Sequence, residues 1–372
     1  MIFTIATLKE ERYVKLQQKL SSPFQFWRFR DKAGRQEQNS QANHSTVSSQ
    51  KAINKLASRK ALWVMVQKEF GDHITSWRFS ILLAIIVLAC IGSIYSAITA
   101  LQAQGNSASL QSFLFLKIFT LSDGSIPQFT QFVAFLGPLM GIALGFDAVN
   151  TERSKGTLSR LMSQPIYRDD FLKAKFISSL LLVTVVIFSL GFLVIGLSLI
   201  VIGYPPTPEE FMRVICFLLT AVVYVGFWLN LSILFSIRFK QSATSALSAI
   251  AIWIFFTVFY GIIINLVSKA LVPDQNGTTD DILRYYGQLD LLSNLSPAEL
   301  FSDITTTLLM PNVRSLGALT MEQVTLALDS PLALGQSILL VWPQLTALLA
   351  LTAICFGLSY YLFMRQEIRS RS

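Results

Sequence analysis

Residues 79–116 read FSILLAIIVLACIGSIYSAITALQAQGNSASLQSFLFL, 38 positions between Arg78 and Lys117 without one charged side chain. A helix crosses the hydrocarbon core of a bilayer in roughly 20 apolar residues, because each backbone amide there must find its partner within the same segment. The first part of the quoted stretch meets that length, and five later stretches meet it too. Spans are expected near residues 80–101, 128–148, 176–203, 212–236, 244–271 and 336–363. Each mixes Leu, Ile, Val, Phe, Gly and Ala instead of alternating apolar with polar residues, which points to helices and away from barrel strands. The expected fold class is all-α, a polytopic membrane protein with six transmembrane helices.

Composition agrees with a membrane chain. Of 372 residues, 52% are hydrophobic and 14% charged, where charged residues in a soluble domain approach about a quarter. The net charge of +8 raises the question of nucleic acid, and its distribution answers it. Fourteen Lys and Arg precede the first span, six lie between the second and third, two follow the fourth at Arg238 and Lys240, and three follow the sixth. The opposite side holds only Lys117, Arg213, Lys269, Arg284 and Arg314, and its longest loop, residues 272–335, carries eight acids against two bases. Basic residues accumulate on the cytoplasmic side of membrane proteins, so both termini are expected in the cytoplasm and the chain in the plasma (inner) membrane. No nucleic-acid partner is expected.

The first 60 residues lack a long apolar run behind a basic start, so no cleavable signal peptide is read there. Residues 1–54 form a basic amino-terminal extension in which Gln, Ser, Asn and Thr dominate positions 36–50, a composition that buries too little surface to order itself. Phe24, Phe26, Trp27 and Phe29 alternate with Arg28 and Arg30 nearby, a pairing suited to the membrane interface. Residues 55–372 are read as the membrane domain. Ahead of the first span, Leu62, Val66, Phe70, Ile74 and Trp77 recur at helical spacing, with Lys60, Lys68 and Asp72 off that stripe. This predicts an amphipathic interfacial helix on the bilayer surface.

The loop after the second span, residues 147–173, is the most informative segment. Thr151 is placed to cap a short helix, Glu152 sits where the helix dipole favours an acid, Leu158, Leu161 and Met162 form one apolar face, and Pro165 ends it. Gly156 within that helix costs roughly 1 kcal/mol relative to alanine, a penalty explained if another backbone approaches there. Upstream, Gly137, Gly141 and Gly145 recur every four residues on one face of the second span, a helix-packing pattern. Pro138 is expected to kink that span. Asp147, an acid at the edge of the span, is a gating candidate expected to contact Arg153.

Taken together, an acid at the end of the second span, Glu152-Arg153-x-x-Gly156-Thr157-Leu158, then Pro165 before a basic third span, resembles the permease subunit of type-2 ABC exporters. The likeness covers about 300 residues and includes Asn294 to Phe301 in the long segment before the last span. In that family this loop is a coupling helix that docks on a separate ATPase. The resemblance therefore implies an ATPase-coupling role for Glu152, Arg153, Gly156, Thr157, Leu158 and Pro165. It also implies a partner ATPase subunit carrying ATP and Mg, and a second permease subunit, identical or related, embedded in the same lipid bilayer. The extension over residues 1–54 departs from a minimal member of the family.

What is missing from the sequence is consistent with this. A phosphate-cradling P-loop ends in Gly-Lys followed by Ser or Thr, and no Gly-Lys pair occurs. No cofactor, metal or catalytic residue is expected on this chain. Both histidines, His44 and His73, precede the first span, so no membrane histidine is available as a catalytic base or zinc ligand. Cys90, Cys216 and Cys355 fall within spans and read as packing residues. A gradient-driven carrier usually needs charges near the midplane. Here the strongest polar features are Asn230, Asn265 and scattered hydroxyls.

In the segment 272–335, Ile282, Leu283, Tyr285, Tyr286, Leu289 and Leu292 predict one short helix at the outer interface. The function expected first is the permease of an ATP-driven exporter. The alternatives are a non-transporting module relaying ATPase work to an extracytoplasmic maturation partner, and a gradient-driven secondary carrier.

Overall fold

The computed structural model describes residues 60–104, 113–157, 168–203, 205–271, 279–311 and 332–365. The amino-terminal extension, Leu158, Leu161, Met162 and Pro165 lie outside these residues. All that follows concerns the unit Leu62–Ser372.

Among the described residues every regular element is helical. A helix through residues 60–74 (α1) leads into α2, Trp77–Gln104. The short α3, Leu114–Thr120, precedes α4, Phe129–Gly145. A turn then gives α5, Asn150–Ser154, followed by α6, Arg168–Ile202, and α7, Pro208–Arg238. The fifth span is α8, Ser242–Ile254, a π turn Phe255–Phe259, and α9, Tyr260–Leu271. Two further helices, α10 (Thr279–Ser293) and α11 (Pro297–Leu309), come before α12, Leu334–Arg365. Among the described residues six helical segments are long and apolar enough to cross a membrane, and they coincide with the six expected spans.

The differences have physical causes. The third span starts at Arg168, eight residues before the apolar run, because Asp169, Asp170 and Lys173 continue the helix beyond the hydrocarbon. Lys173 reaches Asp169 one turn away at 2.6 Å. The fourth starts at Pro208, where Thr207 and Glu210 form a reciprocal capping box with Pro at the first turn. The described residues of the segment before α12 form two helices where one is expected. Of these, α11 is largely buried, begins at Pro297 and is capped by Ser296, whose hydroxyl accepts from the Glu299 amide.

The bundle is built around α7. Of its apolar window 72% is buried, against 11% for the fifth span and 17% for α12, so α7 is the interior helix and the other two lie at the periphery of the chain. On α7, Tyr224 stacks on Phe301 with ring centroids 4.3 Å apart, and its hydroxyl donates to the Ala134 carbonyl at 3.0 Å. Phe119, Phe129 and Phe217 meet edge-on beside them.

At one end of the bundle, hereafter the cap end, Arg213 of α7 is completely buried. Its guanidinium donates to Glu209 at 2.9 Å, to the Leu308 carbonyl at 3.0 Å, to the Ser337 hydroxyl at 3.2 Å and to the Leu332 carbonyl. A buried cation persists only when paired and hydrogen-bonded, and these partners join α7, α11 and the start of α12.

The glycine series lies where α4 crosses α7. A Cβ added at Gly137 would sit 2.8 Å from the Val225 side chain, one at Gly141 2.8 Å from the Val225 carbonyl oxygen, and one at Gly145 2.8 Å from that of Leu229. Both of the last two obstacles are backbone and cannot rotate away. Replacing Gly141 or Gly145 with alanine should therefore destabilise the protein by about 1–3 kcal/mol through overpacking. Gly196→Ala, where nothing lies within 4 Å, should leave the melting temperature in detergent unchanged or raise it.

Candidate coupling site

At the end opposite the cap, α4 stops at Gly145 and the chain turns through Asp147 into α5. The start of α5 is held by α7: the amides of Val149 and Asn150 both donate to the Ser236 hydroxyl, at 3.0 and 3.2 Å. This serine does from another helix what a capping side chain does locally. The expected cap, Thr151, instead lies inside α5.

Gly156 also has a different role from the one expected. Its φ is +68°, in the left-handed region, and nothing lies within 4 Å of a built Cβ. It ends α5, its amide donating back to the Arg153 carbonyl at 3.3 Å, which is the usual station of glycine after a helix. The helix is thus five residues long, and the glycine marks its stop, with no other backbone among the described residues of this chain close to it.

Glu152, in the first turn of α5, faces inward. Its carboxylate accepts from the Thr157 hydroxyl and lies 3.5 Å from the Lys175 ammonium of α6. Lys175 is buried, and it also meets Glu69 of α1 at 2.5 Å. The same ammonium sits 5.7 Å from the centroid of the Phe171 ring. One lysine therefore ties three separate elements, α1, α5 and α6, and the desolvation of its charge is offset by two carboxylates.

Asp147 has its partner on α2, where Arg78 donates to it at 2.9 Å while lying over the Phe146 ring. His73 of α1 is within 3.2 Å of the Ser179 hydroxyl on α6. The residues expected to matter are thus distributed. Glu152, Thr157 and Asp147 join the network of charges, Arg153 is half-buried beside it, Gly156 is exposed at its edge, and Gly137, Gly141 and Gly145 pack against α7.

Glu69, His73, Arg78 and Lys175 are not singled out by the sequence reading. A signal for Glu69 exists: Val66, Glu69, Phe70 and His73 form the face of α1 that is covered, while Ile74 and Trp77, placed on the expected apolar stripe, are 46% and 78% exposed. An acid on the covered face of an amphipathic helix calls for a buried cation.

Against known proteins, residues 63–368 match the family described as ABC-2 family transporter protein. The chain is 24% identical over 291 residues to the probable ABC transporter permease protein NosY of Stutzerimonas stutzeri, an alignment covering 78% of this chain and 96% of that protein. It is 25% identical over 204 residues to the probable ABC transporter permease protein NosY of Pseudomonas aeruginosa, covering 54% of this chain and 68% of that one. With the six spans and the loop geometry, the match over most of the chain places this protein in the ABC-2 family of transporter proteins.

Removing the cation by Lys175→Met leaves Glu69 and Glu152 buried without it, and should cost about 3–5 kcal/mol. The triple variant with Glu69→Gln and Glu152→Gln added carries no unpaired charge and should recover most of the loss in a detergent melt. A single variant that melts with wild type would show the bridge to be idle.

Burial holds the His73 imidazole below the ordinary value of 6.5, outweighing the upward pull of Glu69. The neutral ring favours the packed state, so its stabilisation is present above about pH 6.5 and is lost as pH falls through its depressed value. Hydrogen exchange of residues 62–74, corrected for intrinsic rate, should accelerate between about pH 7 and pH 5 more in wild type than in His73→Gln.

Proposed function

We propose that this chain is the membrane permease of an ATP-driven exporter, coupled through residues 147–173 to a separate ATPase subunit that holds ATP and Mg. A second permease subunit, a copy or a related chain, completes the pathway. Both termini and the loop end lie in the cytoplasm and the cap end faces outward across the plasma membrane, as the placement of 25 of the 30 basic residues supports.

The observation that carries this reading is the Lys175 bridge. A push on α5 from below is delivered through Glu152 to the third span and, through Glu69, to the helix that leads into the first. The short α5 alone has little capacity to store or redirect force, whereas its fixture to α6 and α7 makes it a lever. Family membership and the permease names of both relatives support the same role.

The test is a gentle-detergent pull-down of tagged wild type and of the Glu152→Ala, Gly156→Trp variant, with bound proteins identified and ATP hydrolysis measured. Capture of an ATPase by wild type and at least about tenfold less by the variant is expected, because Glu152→Ala releases α5 from Lys175 and Gly156→Trp puts a bulky side chain at an exposed left-handed position of the loop. Absence of an ATPase from an intact wild-type complex would overturn the proposal.

A further inference from the structure

Beneath the loop lies a cavity of about 580 Å³ between α1, α2, α4 and the start of α6, a size typical of small-molecule sites. Its walls change character with depth. At the mouth stand Arg78, Lys155 and Asp72, with side chains largely in the open. Phe79, Leu82, Met140 and Leu144 form the apolar wall. Leu82 is four residues along α2 from Arg78 and Met140 is seven residues back from Asp147, so the lining passes from charged to apolar over about 6–10 Å at roughly 1.5 Å per residue. That gradient runs toward the spans, the direction in which a bilayer passes from headgroup to chain.

The charges select among amphiphiles. Four carboxylates line the cavity, Glu69, Asp72, Asp147 and Glu152, against three cations, Arg78, Lys155 and Lys175, with the His73 ring beside them. Lys68 stands 3.5 Å from Asp72 and 3.8 Å from Glu69, so the charges around the cavity balance, and a ligand carrying only negative charge is opposed by the four carboxylates. One carrying a phosphate for Arg78 and Lys155 and a cation for Asp72 and the inner carboxylates satisfies both sets. A primary ammonium does this best, since it donates three hydrogen bonds where a quaternary ammonium donates none.

We propose that the cavity is a resident site for a phospholipid with a phosphoethanolamine headgroup, its glycerol and upper chains resting on Leu82, Met140 and Leu144. The lipid is a fixed component of the permease and not its cargo. Its place in the inner leaflet rests on the topology proposed above, while the headgroup chemistry does not. A lipid held there touches Asp72 of α1 and Lys155 just after α5, so it makes the bilayer part of the joint between them.

The experiment uses the full chain with whatever subunits copurify, stripped of lipid and titrated in detergent with dioleoyl phosphatidylethanolamine, phosphatidylcholine or phosphatidylglycerol. Bound lipid is counted by native mass spectrometry. Wild type should retain phosphatidylethanolamine about tenfold better than either of the others; Asp72→Asn should reduce that preference several-fold, whereas Lys155→Gln, which removes a partner of the phosphate common to all three, should weaken retention of each of them. Both positions are exposed, and Asp72 meets the exposed Lys68 at 3.5 Å, so these variants should fold.

Equal retention of the three lipids, unchanged preference in Asp72→Asn, or undiminished retention in Lys155→Gln would overturn the site. Displacement of the lipid by free phosphoethanolamine at similar concentration would overturn the lipid assignment in favour of a soluble aminophosphate. Lipid counting is independent of ATPase capture, so failure here and failure of the proposed coupling are separable.

Discussion

The approach of α4 to α7 sets the positions of the other elements. Where Gly141 and Gly145 face Val225 and Leu229, the two backbones meet with no side chain between them, and in a bilayer such van der Waals contact is a main source of helix association. Ser232, on the same face of α7, donates to the Ile142 carbonyl at 3.2 Å. The contact fixes the end of α4, and with it the point at which the loop leaves the bundle. Ser236, one turn further along α7, then receives the start of α5. Two neighbouring helices thus decide where a five-residue helix in a loop will stand.

Both ends of the bundle bury a cation, and each does so at a junction of three elements. Arg213 joins α7, α11 and the lead into α12. Lys175 joins α1, α5 and α6. The partners differ in kind. Arg213 is met mostly by carbonyl and hydroxyl oxygens, which are part of the packed backbone and its immediate side chains. Lys175 is met by two carboxylates on separate, short or peripheral helices, and those are the groups whose positions can change without unfolding a span. The end that carries the coupling loop is therefore held by charges, and the end away from it by backbone.

The six spans are legible in the sequence because hydropathy over about 20 residues reports a solvent, not a contact. The glycine series is legible for a related reason: spacing of four places small residues on one face whatever the partner. The buried network is not, because Lys175 stands far along the chain from both Glu69 and Glu152 and nothing local ties them. Gly156 stands out in sequence, but a helix stop and a close backbone approach call for the same residue, and only the backbone conformation separates the two. The helix α11 has a local signal in Ser296-Pro297-x-Glu299, a capping residue followed by proline and an acid. Those residues also carry the family likeness, which by itself says nothing about where a helix starts.

The burial of Arg213 also has a mechanical meaning. Separating α7 from α12 at the cap end would break several of its hydrogen bonds together and leave a guanidinium in a medium of low dielectric, a cost incurred all at once. Those helices accordingly travel as one stiff block. The fifth span, little covered by the rest of the chain and interrupted by its π turn at Phe255–Phe259, stands at the edge of that block, where its uncovered side is available to lipid or to the second subunit proposed above.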